Sequence, residues 1–127
     1  MNMKTVKVSG LSGAALNWAV AKCLVVPVII KDGRVLDAVL LEMQADGSLE
    51  LDYATDWRQG GRILEWEWLD LTPWPNESRE DMRWHCRQHD SSGDCTQYGP
   101  TALIAAMRCY VASKLGDTVE IPEELLK

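Results

Sequence analysis

The chain has no phenylalanine, no pair of cysteines in CxxC spacing, and no apolar run long enough for a signal-peptide core or a membrane span. Without roughly 18 consecutive apolar residues a helical span is excluded, and residues 1–9 offer two lysines but no hydrophobic stretch that would direct export. The cytoplasm is therefore the expected compartment, with no membrane partner. Cys23, Cys86, Cys95 and Cys109 are scattered, which suits neither a zinc knuckle nor a disulfide framework, so reduced thiols are expected. Positive charge is scarce too: 13 Lys and Arg face 19 Asp and Glu, for a formal net charge of −6. A phosphate backbone repels such a protein, so general nucleic-acid binding is disfavoured and any contact of that kind needs a local basic patch. Internal repeats and low-complexity tracts are also missing.

What is present is a globular composition, 46% apolar and 25% charged, in a chain of 127 residues with six tryptophans. That length supports one hydrophobic core and leaves no room for a second, so residues 1–127 are expected to form a single domain.

Residues 3–9 alternate weakly and suit a short edge strand. Ser12 stands where an N-cap belongs, with Leu11 and Leu16 placed as a hydrophobic staple, which predicts a helix over 13–23. Leu16, Ala19, Val20 and Cys23 form its buried face, while Asn17, Trp18 and Lys22 point elsewhere. Residues 25–30 read as an edge or bulged strand because of Pro27, followed by a turn at Asp32-Gly33. Residues 35–43 then read as a strand buried on both faces, and residues 49–53 as a third strand after Asp46-Gly47, completing an antiparallel meander.

Thr55 is the expected cap of a second helix whose apolar side holds Ile63, Leu64 and Trp68. Residues 69–74 read as a strand ended by Pro73 and Pro75, and residues 76–81 as a polar loop. Over 82–89 a strand places Met82, Trp84 and Cys86 opposite Arg83, His85, Arg87 and His89, and residues 90–97 read as a loop. The last helix is the best delimited, with Pro100 at its first position, Gly116 just past its end, and one apolar face of Leu103, Ile104, Met107, Val111 and Leu115. Residues 119–127 read as an acidic tail with one turn begun by Pro122. The predicted class is α+β, a mainly antiparallel sheet with helices on its faces, sandwich-like in layering.

His85, Cys86, His89 and Cys95 carry zinc-binding atoms, but on a strand His85 and His89 share a face that Cys86 does not, and Cys95 stands alone in its segment. A nucleophilic Cys86 or Cys95 would need a base and an orienting acid that nothing local supplies. Glu65 with Glu67, and Glu123 with Glu124, suit solvated surface better than acid–base pairs. Two features fit an anion. One is the strip of Arg83, His85, Arg87 and His89, and the other is the first turn of the last helix, where free N–H groups and the Thr101 hydroxyl converge.

Three blocks then stand out in order: Leu11-Ser12-Gly13-Ala14-Ala15-Leu16-Asn17-Trp18-Ala19-Val20-Ala21-Lys22, Thr55-Asp56-Trp57-Arg58-Gln59-Gly60-Gly61, and Gly99-Pro100-Thr101-Ala102-Leu103-Ile104-Ala105-Ala106-Met107-Arg108 running on to Leu115-Gly116-Asp117. Together they resemble the NinX-like proteins of lambdoid bacteriophages and prophages, and more distantly a small phage domain with an α-β-α sandwich. Two departures are visible: residues 70–95 match less closely, and Arg62 stands where a proline follows the double glycine. The resemblance implies a phage accessory protein without an established activity. It marks Thr55, Asp56, Trp57, Gly99, Pro100, Thr101 and Arg108 as candidate ligand-binding residues.

The first expectation is a non-enzymatic protein of the bacterial host cytoplasm that binds or sequesters a small anionic ligand such as a nucleotide. In that reading Trp57 is a stacking surface and Arg108 or the basic strand a charge partner. The second is a protein-interaction module that modulates a host or phage enzyme through exposed tryptophans. No catalytic set, cofactor or resident metal is implied.

Overall fold

The computed structural model describes residues 2–43, 50–90 and 93–126, without the side chains of 89, 90, 93 and 94. Strand β1, Met3–Lys7, runs through a 3-10 turn into helix α1, Gly13–Cys23. The hairpin β2, Val28–Lys31, and β3, Arg34–Asp37, leads directly into a short helix α2, Ala38–Glu42. Helix α3, Trp57–Trp66, precedes β4, Asp70–Pro73, β5, Trp84–Asp90, and β6, Gly93–Gly99. Helix α4, Ala102–Leu115, and strand β7, Thr118–Pro122, complete the order before a final 3-10 turn. The protein is α+β, and among the described residues every strand pairing is antiparallel.

Helix α4 organises the rest. It packs on the inner face of the β4-β5-β6 sheet and against α1, α3 and β7. From Ala105 through Ala112 every residue is buried, including Arg108. The single apolar stripe predicted for it is therefore too narrow: small Ala105, Ala106 and Ala112 let neighbours approach on all sides, whereas Leu115 at the end is 40% exposed. Its start also moves. Thr101 is the N-cap, accepting from the Ile104 N–H at 3.1 Å, so Pro100 precedes the helix instead of opening it. Gly116 closes it at φ +92°, in the left-handed range that glycine tolerates.

Four further differences have local causes. The expected strand over 35–43 stops at Asp37, whose carboxylate accepts from the N–H groups of Val39 and Leu40 at 2.9 and 3.1 Å and thereby starts α2. The expected meander becomes a hairpin plus one antiparallel bridge, Leu36 to Glu50; residues 44–49 lie outside the described residues. The expected loop over 90–97 is largely strand β6, hidden from hydrophobic periodicity because its inward positions include Gln97, 8% exposed, opposite Cys86. The expected acidic tail is strand β7, which pairs with β1 and turns Val119 and Ile121 inward.

Asn17, expected to point away from the core, is buried and ties α1 to the 50–56 loop. Its Nδ2 donates to Asp52 at 3.2 Å and its Oδ1 accepts from the Ala54 N–H at 2.9 Å. Helix α3 approaches α4 through Gly60, where a Cβ would overlap the Tyr53 carbonyl oxygen and stand 2.8 Å from Leu103 Cδ1. A Gly60→Ala variant gains helix propensity of about 1 kcal/mol but forces a backbone shift costing up to about 3, so we expect net destabilisation, read as a lowered denaturant midpoint with unchanged slope.

Candidate functional site

The residues singled out by the sequence fall into two groups. At the head of α3, Asp56 and not Thr55 is the N-cap: its Oδ1 accepts from the Arg58 N–H at 2.9 Å, while the Thr55 hydroxyl donates to Asp52. The side chain of Arg58 and then its backbone N–H hold the Asp56 carboxyl below the usual carboxylate range. The cap therefore persists on acidification until pH falls through that lowered value. Trp57 is 55% exposed beside it.

The second group belongs to the β6–α4 junction. A Cβ on Gly99 would lie 2.7 Å from the Ala105 nitrogen, so this position holds strand and helix in close approach. Arg108 lies one helical turn deeper and is 3% exposed. Its Nε donates to the Leu11 carbonyl at 2.7 Å, and its Nη1 donates to the Tyr98 carbonyl at 2.8 Å and to Asp81 at 3.1 Å. This guanidinium clamps the loop before α1, strand β6 and the 3-10 turn at Glu80–Met82 onto the central helix.

The expected basic strip is not a single strand face among the described side chains: Met82 ends a 3-10 turn, and Arg83 precedes β5 and donates from Nε to the Glu77 carbonyl at 3.3 Å. His85 stacks between Trp74 and Tyr98, with ring centroids 5.1 and 5.0 Å away. Beside it Arg79 holds the Glu77 carboxyl down to about 2 through donated hydrogen bonds. Among the described residues the cysteines form no disulfide, and burial raises Cys23 to about 11. Cys109 is pushed well up, first by the neighbouring Cys86 thiol and then by burial. Among the described residues no group of three or more His, Cys, Asp and Glu is arranged to hold a metal.

Sequence reasoning missed a groove of about 410 Å³ between α2 and α3. Leu24, Leu51, Tyr53 and Ile63 form its floor, Leu40 and Trp66 stand at its walls, and Arg58 and Arg62 at its rim. Trp66 is 65% exposed.

The ends of α1 and α3 lie beside this groove and share an unusual construction. Each helix closes with paired hydrogen bonds through a left-handed residue: Val25 N to Lys22 O and Val26 N to Ala21 O for α1, Trp68 N to Glu65 O and Leu69 N to Leu64 O for α3. Glycine normally fills the left-handed position, yet Val25 has φ 59° and Trp68 φ 54°. A left-handed L-residue costs roughly 1–2 kcal/mol, and neither side chain recovers that by packing, since Val25 is 85% and Trp68 87% exposed. Trp68, expected on the apolar side of its helix, instead faces solvent. The signal in the sequence is a valine and a tryptophan standing where each helix should end in glycine.

Among the described residues no helix is long and apolar enough to cross a membrane. A comparison with curated proteins finds no match. A family profile described as "Bacteriophage P22, NinX" matches residues 7–114, a span that holds α1, the groove, the left-handed helix ends and the Arg108 clamp. The match takes in most of the chain, and the protein belongs to this phage NinX family.

Proposed function

We propose that this phage accessory protein is a non-enzymatic interaction module, acting in the bacterial cytoplasm, that docks a host or phage enzyme with the surface around the groove and the two left-handed helix ends. One observation carries the reading: Val25 and Trp68 keep bulky apolar side chains in strained, solvent-facing positions where glycine would make the isolated fold more stable. Exposed apolar surface of this kind marks a contact face, and Trp and Arg are the residue types that dominate binding hot spots. Leu24 and Trp66, which line the groove, stand one and two residues before Val25 and Trp68 in the chain, so each strained residue closely follows a groove residue.

The anionic-ligand reading has less support. The Asp56 carboxylate already accepts from the Arg58 N–H in the first turn of α3, the Thr101 hydroxyl caps α4, and the Arg108 guanidinium is engaged with three acceptors. A thermal-shift panel of nucleotides is expected to give no stabilisation.

The test is affinity purification from infected cells, followed by titration of the purified partner. We expect a stoichiometric complex whose affinity falls at least about thirtyfold on Trp68→Ala, a hot-spot loss, and is unchanged on Trp74→Ala, which lies in the His85 stack. A partner indifferent to Trp68→Ala would refute the proposed surface.

A further inference from the structure

We propose that the groove between α2 and α3 receives an acidic amphipathic helix of the partner, an inference that rests on the interaction-module reading and specifies its ligand. Arg58, Arg62 and Trp66 recur every four residues along α3, which sets them on one stripe about 6 Å apart, the spacing of successive helical turns. Leu40 stands across from them and Tyr53 contributes to the floor, so cations border an apolar trough. The complement of that pattern is an apolar stripe flanked by Asp or Glu.

Charge on the rest of the molecule sharpens the choice. At a net −6 the chain repels an acidic segment over most of its surface, and the two arginines mark where that repulsion reverses. Glu50, the acid that lines the groove among the described residues, lies 3.9 Å from Arg34. Arg58 leans on Asp56 at 3.4 Å, which leaves Arg62 the larger share of the attraction. A strand is the poorer occupant, because helices flank the groove and, on the 50–52 segment at its floor, the Gln59 side chain already bonds the Glu50 carbonyl and the Asp52 N–H.

Peptide display on the full chain, counter-selected against Trp66→Ala, tests the proposal. Enriched sequences should carry apolar residues at i, i+3 or i+4 and i+7 with carboxylates beside them. A labelled consensus peptide followed by fluorescence anisotropy should lose about tenfold in affinity on Arg62→Glu and about thirtyfold on Trp66→Ala, while both exposed substitutions leave the unfolding midpoint in place. Basic, proline-rich or extended winners, no enrichment over the counter-selected protein, or an acidic peptide indifferent to Arg62→Glu overturns it. Should a partner still cross-link at residue 68 in those cases, the interaction module stands and only its acidic helix falls; with no cross-linked partner, both fall.

Discussion

An Arg108→Met variant is expected to lose about 2 to 4 kcal/mol of unfolding free energy, measured by urea denaturation. Methionine keeps the aliphatic length but removes the donors that serve the Leu11 and Tyr98 carbonyls at 2.7 and 2.8 Å. Each carbonyl left buried without a partner costs roughly 1 to 3 kcal/mol, and methionine's apolar packing recovers part of the sum. Asp81→Asn supplies the contrast. That carboxylate is 63% exposed, so its ion pair with Arg108 contributes at most about 1 kcal/mol and the variant should remain near wild type. If both variants lost the same amount, the stabilisation would come from the ion pair and not from the carbonyl clamp.

Trp68→Gly should act in opposite directions on stability and binding. Glycine relieves the left-handed backbone at φ 54°, and because the indole is 87% exposed little packing is lost. The gain, offset in part by the greater freedom of glycine in the unfolded chain, should be about 1 kcal/mol. The same change removes the apolar anchor and should cost the complex at least about 2 kcal/mol of affinity. Val25→Gly should repeat the pattern with a smaller loss of affinity, since valine presents less surface. Stability and function pull apart here because the strain is kept for a contact that the isolated chain does not make.

The sequence shows several elements plainly and hides others for definite reasons. The Asp32-Gly33 turn and the Gly116 stop follow from local chemistry, and α1 follows from its Leu16, Ala19 and Val20 stripe, whereas Ser12, at its N-cap position, makes no side-chain capping bond. Residues 38–42 look like strand because a short apolar run carries no period of its own, and only the Asp37 carboxylate tips it into a helix. Strand β6 escapes a periodicity reading because Gln97 and its neighbour Gln88 on β5 are buried where apolar residues would mark the alternation. Strand β7 resembles an acidic tail because Glu120 within it and Glu123 and Glu124 just after it mask the period-two pattern of Val119 and Ile121, which becomes decisive once β1 is there to pair with it.

The candidate site divides in the same way. Blocks shared with the phage family point to Asp56, Gly99 and Arg108, and in the structure Asp56 caps a helix, Gly99 permits a close backbone approach and Arg108 forms the buried clamp. The groove joins Leu24, Leu40, Tyr53 and Trp66 from four separate stretches of chain, which no local pattern announces. Only its borders are visible in the sequence, as helix ends lacking glycine and as the Arg58, Arg62 and Trp66 repeat.

The most direct test of the interaction surface places a photo-cross-linking amino acid at position 68, and separately at position 120, an exposed position of β7, in infected cells. A single protein, identified by mass spectrometry and captured in high yield from position 68 but not from 120, then purified as a complex that weakens on Trp68→Gly, is the predicted result. Equal cross-linking from both positions, or none from 68, would contradict the account.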